Sequence, residues 1–142
     1  MERILVPVDG SSEAQRAVKY AANLSARNGT ALQLLNVQAP IASAHVRRFL
    51  ARKAVDDYQL AEGERALGPA RKLAEEYGVA CDSEIAVGHI AETIAERARE
   101  LGCDAIVMGS RGMGSVGNLV MGSVATQVVH LSELPVTLVK AA

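Results

Sequence analysis

The chain has 142 residues, with 15 Lys and Arg against 16 Asp and Glu and a formal net charge of −1. That length predicts a single domain, 1–142, able to bury roughly two thirds of its unfolded surface. The near-neutral balance, with no basic stripe, argues against DNA or RNA as a partner. One Phe, three Tyr and no Trp supply too few aromatic faces for base stacking on a single strand. Cys81 and Cys103 stand alone, without C-x-x-C or metal-ligand spacing, and read as small buried apolar residues. The opening apolar run is far too short for a signal peptide or a membrane span, so the expectation is a soluble, cytoplasmic protein without a membrane partner.

Residues 3–8 read as a fully buried strand that stops at Asp9 and Gly10. Ser12 with Gln15 three positions on fits a capping box. The helix it opens carries Ala14, Ala17, Val18, Ala21 and Ala22 at the spacing of a helix lying on a sheet. Asn28 and Gly29 end it. Residues 31–37 form the second strand, and 38–45, with Pro40 and no period, a loop. A long helical segment follows over 46–77, with a break or kink predicted near Gly63 or Gly68 and Pro69. The third strand, 79–87, alternates at Val79, Cys81, Ser83, Ile85 and Val87. Gly88 and His89 turn into a helix with Ile90, Ile94, Ala98 and Leu101 on one face. The fourth strand, 105–108, runs into a glycine-dense loop. Ser123 caps a last helix, 123–131, that buries Val124, Val128 and Leu131, and Pro135 opens a fifth strand over 136–139.

Strands alternating with helices predict an α/β fold: one doubly wound, five-stranded parallel sheet with helices on both faces. Right-handed crossovers give the strand order 3-2-1-4-5. The winding direction reverses between strands one and four, and ligands in such sheets bind at that reversal, beyond the C-terminal strand ends. Asp9 follows strand one there and Gly109 ends strand four. The loop from Gly109 to Gly122 feeds a helix N-terminus, where main-chain N–H groups and the helix dipole favour an anion such as phosphate. Arg111, between glycines, adds a full positive charge.

The spacing Gly109-x-x-Gly112, nine residues, then Gly122-Ser123 resembles the nucleotide-binding signature of the ATP-binding universal stress proteins. The run Val6-Pro7-Val8-Asp9-Gly10-Ser11, the pair Asn36-Val37 and the closing Leu134-Pro135-Val136 resemble other parts of that family, so the likeness covers the chain from Ile4 to Val139. It implies a Rossmann-like domain that binds ATP, ADP or AMP, with or without Mg or Mn, and acts as a nucleotide-responsive module in the stress response. By this resemblance Val37 would offer main-chain groups to the adenine edge. Pro7 and Asp9 would lie beside the nucleotide, Asp9 near the ribose, the phosphates or a bridging metal. Met108 and Gly109 would border the sugar. Gly112, Gly122 and Ser123 would hold phosphate, with the N–H of Val124, while Ser110, Arg111, Gly114 and Ser115 lie in the same loop. The family also implies a homodimer, which an apolar fifth strand at the sheet edge suits.

Rival readings carry less. Gly112-x-Gly114-x-x-Gly117 spells the dinucleotide fingerprint, but that pattern belongs after the first strand, with an acidic residue about twenty positions on. No G-K-[ST] follows the glycines, so there is no P-loop. His45, His89 and His130 share no ligand spacing, and no catalytic residue is assigned: slow ATP hydrolysis is the most the sequence supports. An interaction dimer that binds no nucleotide, or a weak ATPase or nucleotidyl-transfer enzyme, are the alternatives.

Overall fold

Uninterrupted Val, Ile and Leu runs leave no wet face on the central strands, so layers of helix must cover both sides. The computed structural model describes residues 1–41, 52–111 and 121–140. In chain order these form β1 (Arg3–Pro7), α1 (Ser12–Asn28), β2 (Ala31–Gln38), α2 (Arg52–Glu76), β3 (Cys81–Val87), α3 (Ile90–Glu100), β4 (Ala105–Gly109), α4 (Ser123–Leu131) and β5 (Val136–Val139). The strands build one all-parallel sheet in the order β3-β2-β1-β4-β5, as expected. Side-chain alternation divides the core. Ile4, Val6, Val8, Leu32, Leu34 and Val107 pack against α1 and α2. Leu5, Leu35, Ile106 and Met108 pack against α3 and α4. The helices bring mainly Ala to the sheet, which lets their axes approach closely.

Several local expectations are corrected. The cap of α1 is Ser11, not Ser12: its Oγ accepts the Ala14 N–H at 3.1 Å. The long helix is not broken. α2 continues through Gly63, Gly68 and Pro69, because Ala66, Leu67, Ala70 and Ala74 hold it to the sheet on both sides of the proline. Pro69 itself is exposed, so the carbonyl it orphans can bond water instead of breaking the helix. The segment 42–51, which includes the expected start of that helix, lies outside the described residues. On α3 the buried stripe is Ala91, Ile94 and Ala98; Ile90, the first residue of the helix, is 37% exposed. Likewise α4 buries Ala125 and Val128 and leaves Leu131 exposed. Cys103 is buried and Cys81 partly so; burial pushes both thiols up, away from the reactive thiolate.

Gly63 is needed for closeness. A Cβ there would lie 2.6–2.9 Å from three side-chain atoms of Ile85 on β3. Gly63→Ala therefore sets a helix-propensity gain of about 1 kcal/mol against overpacking of ~1–3 kcal/mol. Urea denaturation should show a net loss of stability in the wild-type background and a gain in an Ile85→Ala background.

Asp104 clamps the N-terminus: its Oδ2 accepts the N–H of Glu2 at 2.6 Å and of Arg3 at 3.0 Å. These two bonds hold the carboxyl below its ordinary value. A lowered folded-state pKa contributes stability that is present above the unfolded value of about 3.9 and is lost as pH falls through the folded value. Asp104→Ala should thus be less stable than the parent at neutral pH, and denaturant titrations should show the difference closing below about pH 4.

Candidate functional site

The site begins where β1 ends before its neighbour. Parallel ladders turn successive residues' main-chain groups to alternate sides. On β2 the odd residues face β1: Ala31 N–H donates to Glu2 C=O, and Leu35 C=O accepts from Val8 N–H at 2.8 Å. The even residues face β3: Leu32 N–H donates to Ala80 C=O, and Gln38 C=O accepts from Gly88 N–H. Val37 therefore directs its N–H and C=O to the β1 side, where β1 has already stopped at Pro7. A donor and an acceptor on one edge match the edge of a purine base. Asn36, buried at 3% exposure, fixes this rim. Its Nδ2 donates to Val8 C=O at 2.8 Å, its Oδ1 accepts from Gln38 Nε2 at 2.7 Å, and Gln59 Nε2 of α2 donates to Ala39 C=O at 3.1 Å.

Beyond Pro7 the chain turns through Asp9, exposed, and Gly10, whose φ of 84° is a left-handed angle that suits glycine. Asp9 Oδ1 accepts both the Ser11 N–H, at 2.9 Å, and the Ser11 Oγ–H. Ser11 in turn caps α1. One carboxylate oxygen thus holds the turn and the helix start, and the exposure of Asp9 leaves the other open to a ligand. Asp9 is both the turn-former and the candidate ligand group.

On the other side of β1, Gly109 ends β4 against the first turn of α1. A Cβ there would meet Glu13 Cβ and Arg111 C=O, each at 3.1 Å, so a side chain would crowd the first turn of α1. Ser110 is buried and both its main-chain groups are committed: its N–H donates to Val139 C=O at 3.0 Å and its C=O accepts from Gly122 N–H at 2.6 Å. That second bond pins the start of α4 to the end of β4. The cap of α4 is Gly122 rather than Ser123, and no side chain caps it. Thr126 closes the first turn, its Oγ1 donating to Gly122 C=O at 2.9 Å. Gly122 has φ −75° and ψ 167°, angles open to any residue, and it is buried. The first N–H groups of α4, from Ser123 and Val124 onward, have no acceptor within the helix and meet the positive end of its dipole.

Of the residues singled out in the sequence, Pro7, Asp9, Val37, Gly109, Ser110, Gly122, Ser123 and Val124 come to the C-terminal edge of the sheet on β1, β2, β4 and α4. Arg111 follows directly. Met108 buries its side chain in the core at 5% exposure, so only its main chain faces the crevice. Gly112, Gly114 and Ser115 lie outside the described residues. Sequence reasoning missed Ser11, Asn36 and Thr126 as shaping residues. A lone Asn near the end of an apolar strand was the available signal. A cleft of about 240 Å³ lies elsewhere, bordered by Glu92, Glu96, Arg99, Leu131 and Glu133; its three carboxylates would repel polyphosphate.

Comparison with known proteins bears on the family and the fold. The family model described as the universal stress protein family matches residues 1–140. The chain belongs to the universal stress protein family. The universal stress protein MJ0531 of Methanocaldococcus jannaschii is 31% identical, over 98% of this chain and 82% of that one. A universal stress protein of Mycolicibacterium smegmatis is 30% identical over 96% of this chain, which spans only 47% of its length. Among solved structures, the hypothetical protein MJ0577 superposes with a TM-score of 0.87 at 28% identity, covering 99% of this chain and 96% of that one. Two universal stress proteins with the same fold were solved with cAMP and with AMP bound, at 22% and 23% identity and TM-scores of 0.73 and 0.70, each aligned over at least 99% of this chain and 93% or more of its own. Among the described residues of this universal stress protein, no helix is long and apolar enough to cross a membrane.

Ser11→Ala removes the cap of α1 and the partner of Asp9 together. Chemical denaturation should register a loss of about 1 kcal/mol, within the usual 0.5–2 range for a lost N-cap.

Proposed function

We propose that this universal stress protein binds an adenine nucleotide in the crevice between the ends of β1, β2 and β4, and acts in the cytoplasm as a nucleotide-responsive regulatory or protective module in the stress response. The observation that carries the reading is the start of α4: a helix N-terminus without a side-chain cap, tethered through Ser110 to the end of β4. Such a terminus is an anion site by construction. The relatives solved with cAMP and AMP support the choice of an adenine nucleotide.

In this reading the adenine edge meets the N–H and C=O of Val37. The sugar lies over Pro7 and the main chain of Met108 and Gly109, within reach of the outward oxygen of Asp9. The phosphates take the N–H groups of Ser123 and Val124, with Gly122 leaving room and Ser110, Arg111, Gly112, Gly114 and Ser115 on the same loop. Among the described residues no three His, Cys, Asp or Glu side chains cluster to hold a metal. An Mg or Mn ion would therefore arrive on the nucleotide and take Asp9 as a protein ligand. In this reading ATP hydrolysis is at most slow. The whole of 1–142 acts as one domain, and β5, at the sheet edge, pairs with its copy to form a homodimer. β5 turns the main-chain groups of 135, 137 and 139 to β4, as the bonds of Pro135 and Val139 show. Those of Val136, Leu138 and Lys140 point outward by alternation.

Calorimetric titration of nucleotide-stripped protein with ATP tests this. Saturable binding is expected. Gly122→Val should retain the fold by circular dichroism and bind at least about tenfold more weakly, a loss of ~1.4 kcal/mol. A flat titration of the parent up to millimolar ATP would leave a fold that binds partners rather than nucleotide.

A further inference from the structure

We infer that nucleotide at this site strengthens pairing at the β5 edge, through the hydrogen-bonded path from Gly122 through Ser110 to Val139. The inference rests on the nucleotide and dimer readings above and adds a linkage between them.

The path is two bonds long. Gly122 N–H donates to Ser110 C=O at 2.6 Å, and Ser110 N–H donates to Val139 C=O at 3.0 Å. Ser110 follows β4, and Val139 is the last residue of β5. The second bond is therefore one extra rung of the β4–β5 ladder, placed beyond the end of β4 and depending on where Ser110 is held. The first bond decides where Ser110 is held, because it ties its carbonyl to the cap of α4. Thr126 adds stiffness, since its N–H and Oγ1 both donate to Gly122 C=O, at 3.0 and 2.9 Å.

β5 is only four residues long. Its cross-sheet partners run from Ile106 with Val136 to Gly109 with Val139. Losing the Ser110 rung would free the end of the strand beside Lys140, one of the three residues whose main-chain groups face outward. A short edge strand that frays at one end loses a large share of what a second copy can pair with. Phosphate on Ser123 and Val124 holds the first turn of α4, and with it Gly122 and Ser110, in the arrangement that keeps the rung. A ligand favours the state it binds better, and coupling is reciprocal: a dimer that needs the rung also binds nucleotide more tightly.

Two measurements test it. The dimer dissociation constant, from a sedimentation dilution series, should fall between about 5- and 150-fold with saturating ATP. Adenosine, which lacks phosphate, should leave it unchanged. In Lys140→Pro, which removes one outward N–H and leaves the β4 side of β5 intact, pairing should weaken. ATP should still slow hydrogen exchange of the Ser110 amide in that variant. If calorimetry shows ATP bound while the dimer constant or the Ser110 exchange rate does not change, the coupling is overturned and the nucleotide site stands. An equal shift with adenosine, or a monomer under every condition, also overturns it. A flat ATP titration overturns the site and the coupling together.

Discussion

β1 stops at Pro7 while β2 beside it runs on to Gln38. Most of the candidate site depends on that difference in length. It leaves the main-chain groups of Val37 facing a gap instead of a strand. It places the turn of Asp9 and Gly10 between the ends of β2 and β4. It also leaves the Val8 carbonyl to be satisfied by Asn36 rather than by the ladder. A buried carbonyl without a partner is costly, so the buried Asn at that position follows from the early stop. In a sheet whose central strands are covered on both faces, such a gap is one of the few places where main-chain polarity can reach a ligand.

The two sides of the gap differ in chemistry. On the side of α1 the protein satisfies its own helix start: Ser11 caps it and Asp9 holds Ser11. A second anion there would meet a carboxylate already in place. On the side of α4 the cap is a glycine and no side chain does that work. In the proposed reading, asymmetry of this kind would give a nucleotide one orientation, with phosphate toward α4 and the sugar toward Asp9. The same comparison sets aside the cleft near Leu131, where Glu92, Glu96 and Glu133 outnumber Arg99 and disfavour phosphate.

Glycine plays different parts at positions that look alike in the sequence. Gly10 uses its left-handed angle. Gly109 makes room for the first turn of α1, and Gly63 for Ile85. Gly122 adopts ordinary angles and commits its N–H to Ser110. A pattern of glycines shows that something needs space or freedom, but which of the two is a property of what lies across from each one.

The order of the elements and the strand order were legible in the chain, and with them the point where the winding direction reverses. They follow from local periodicity and from the handedness of parallel crossovers, and neither needs a neighbour's coordinates. The Asp9 turn and the start of the last helix at Ser123 were legible for the same reason. The tertiary structure decided the rest. It moved the cap of α1 from Ser12 to Ser11, because the bond from Asp9 favours that residue. It carried α2 through Pro69, because packing on the sheet outweighs the lost hydrogen bond. It committed the N–H groups of Ser110 and Gly122 to the protein, while those of Ser123 and Val124 stand in the first turn of α4, where the helix offers them no acceptor. Each of these outcomes depends on which group reaches a given partner first, and that competition exists only once distant parts of the chain are brought together.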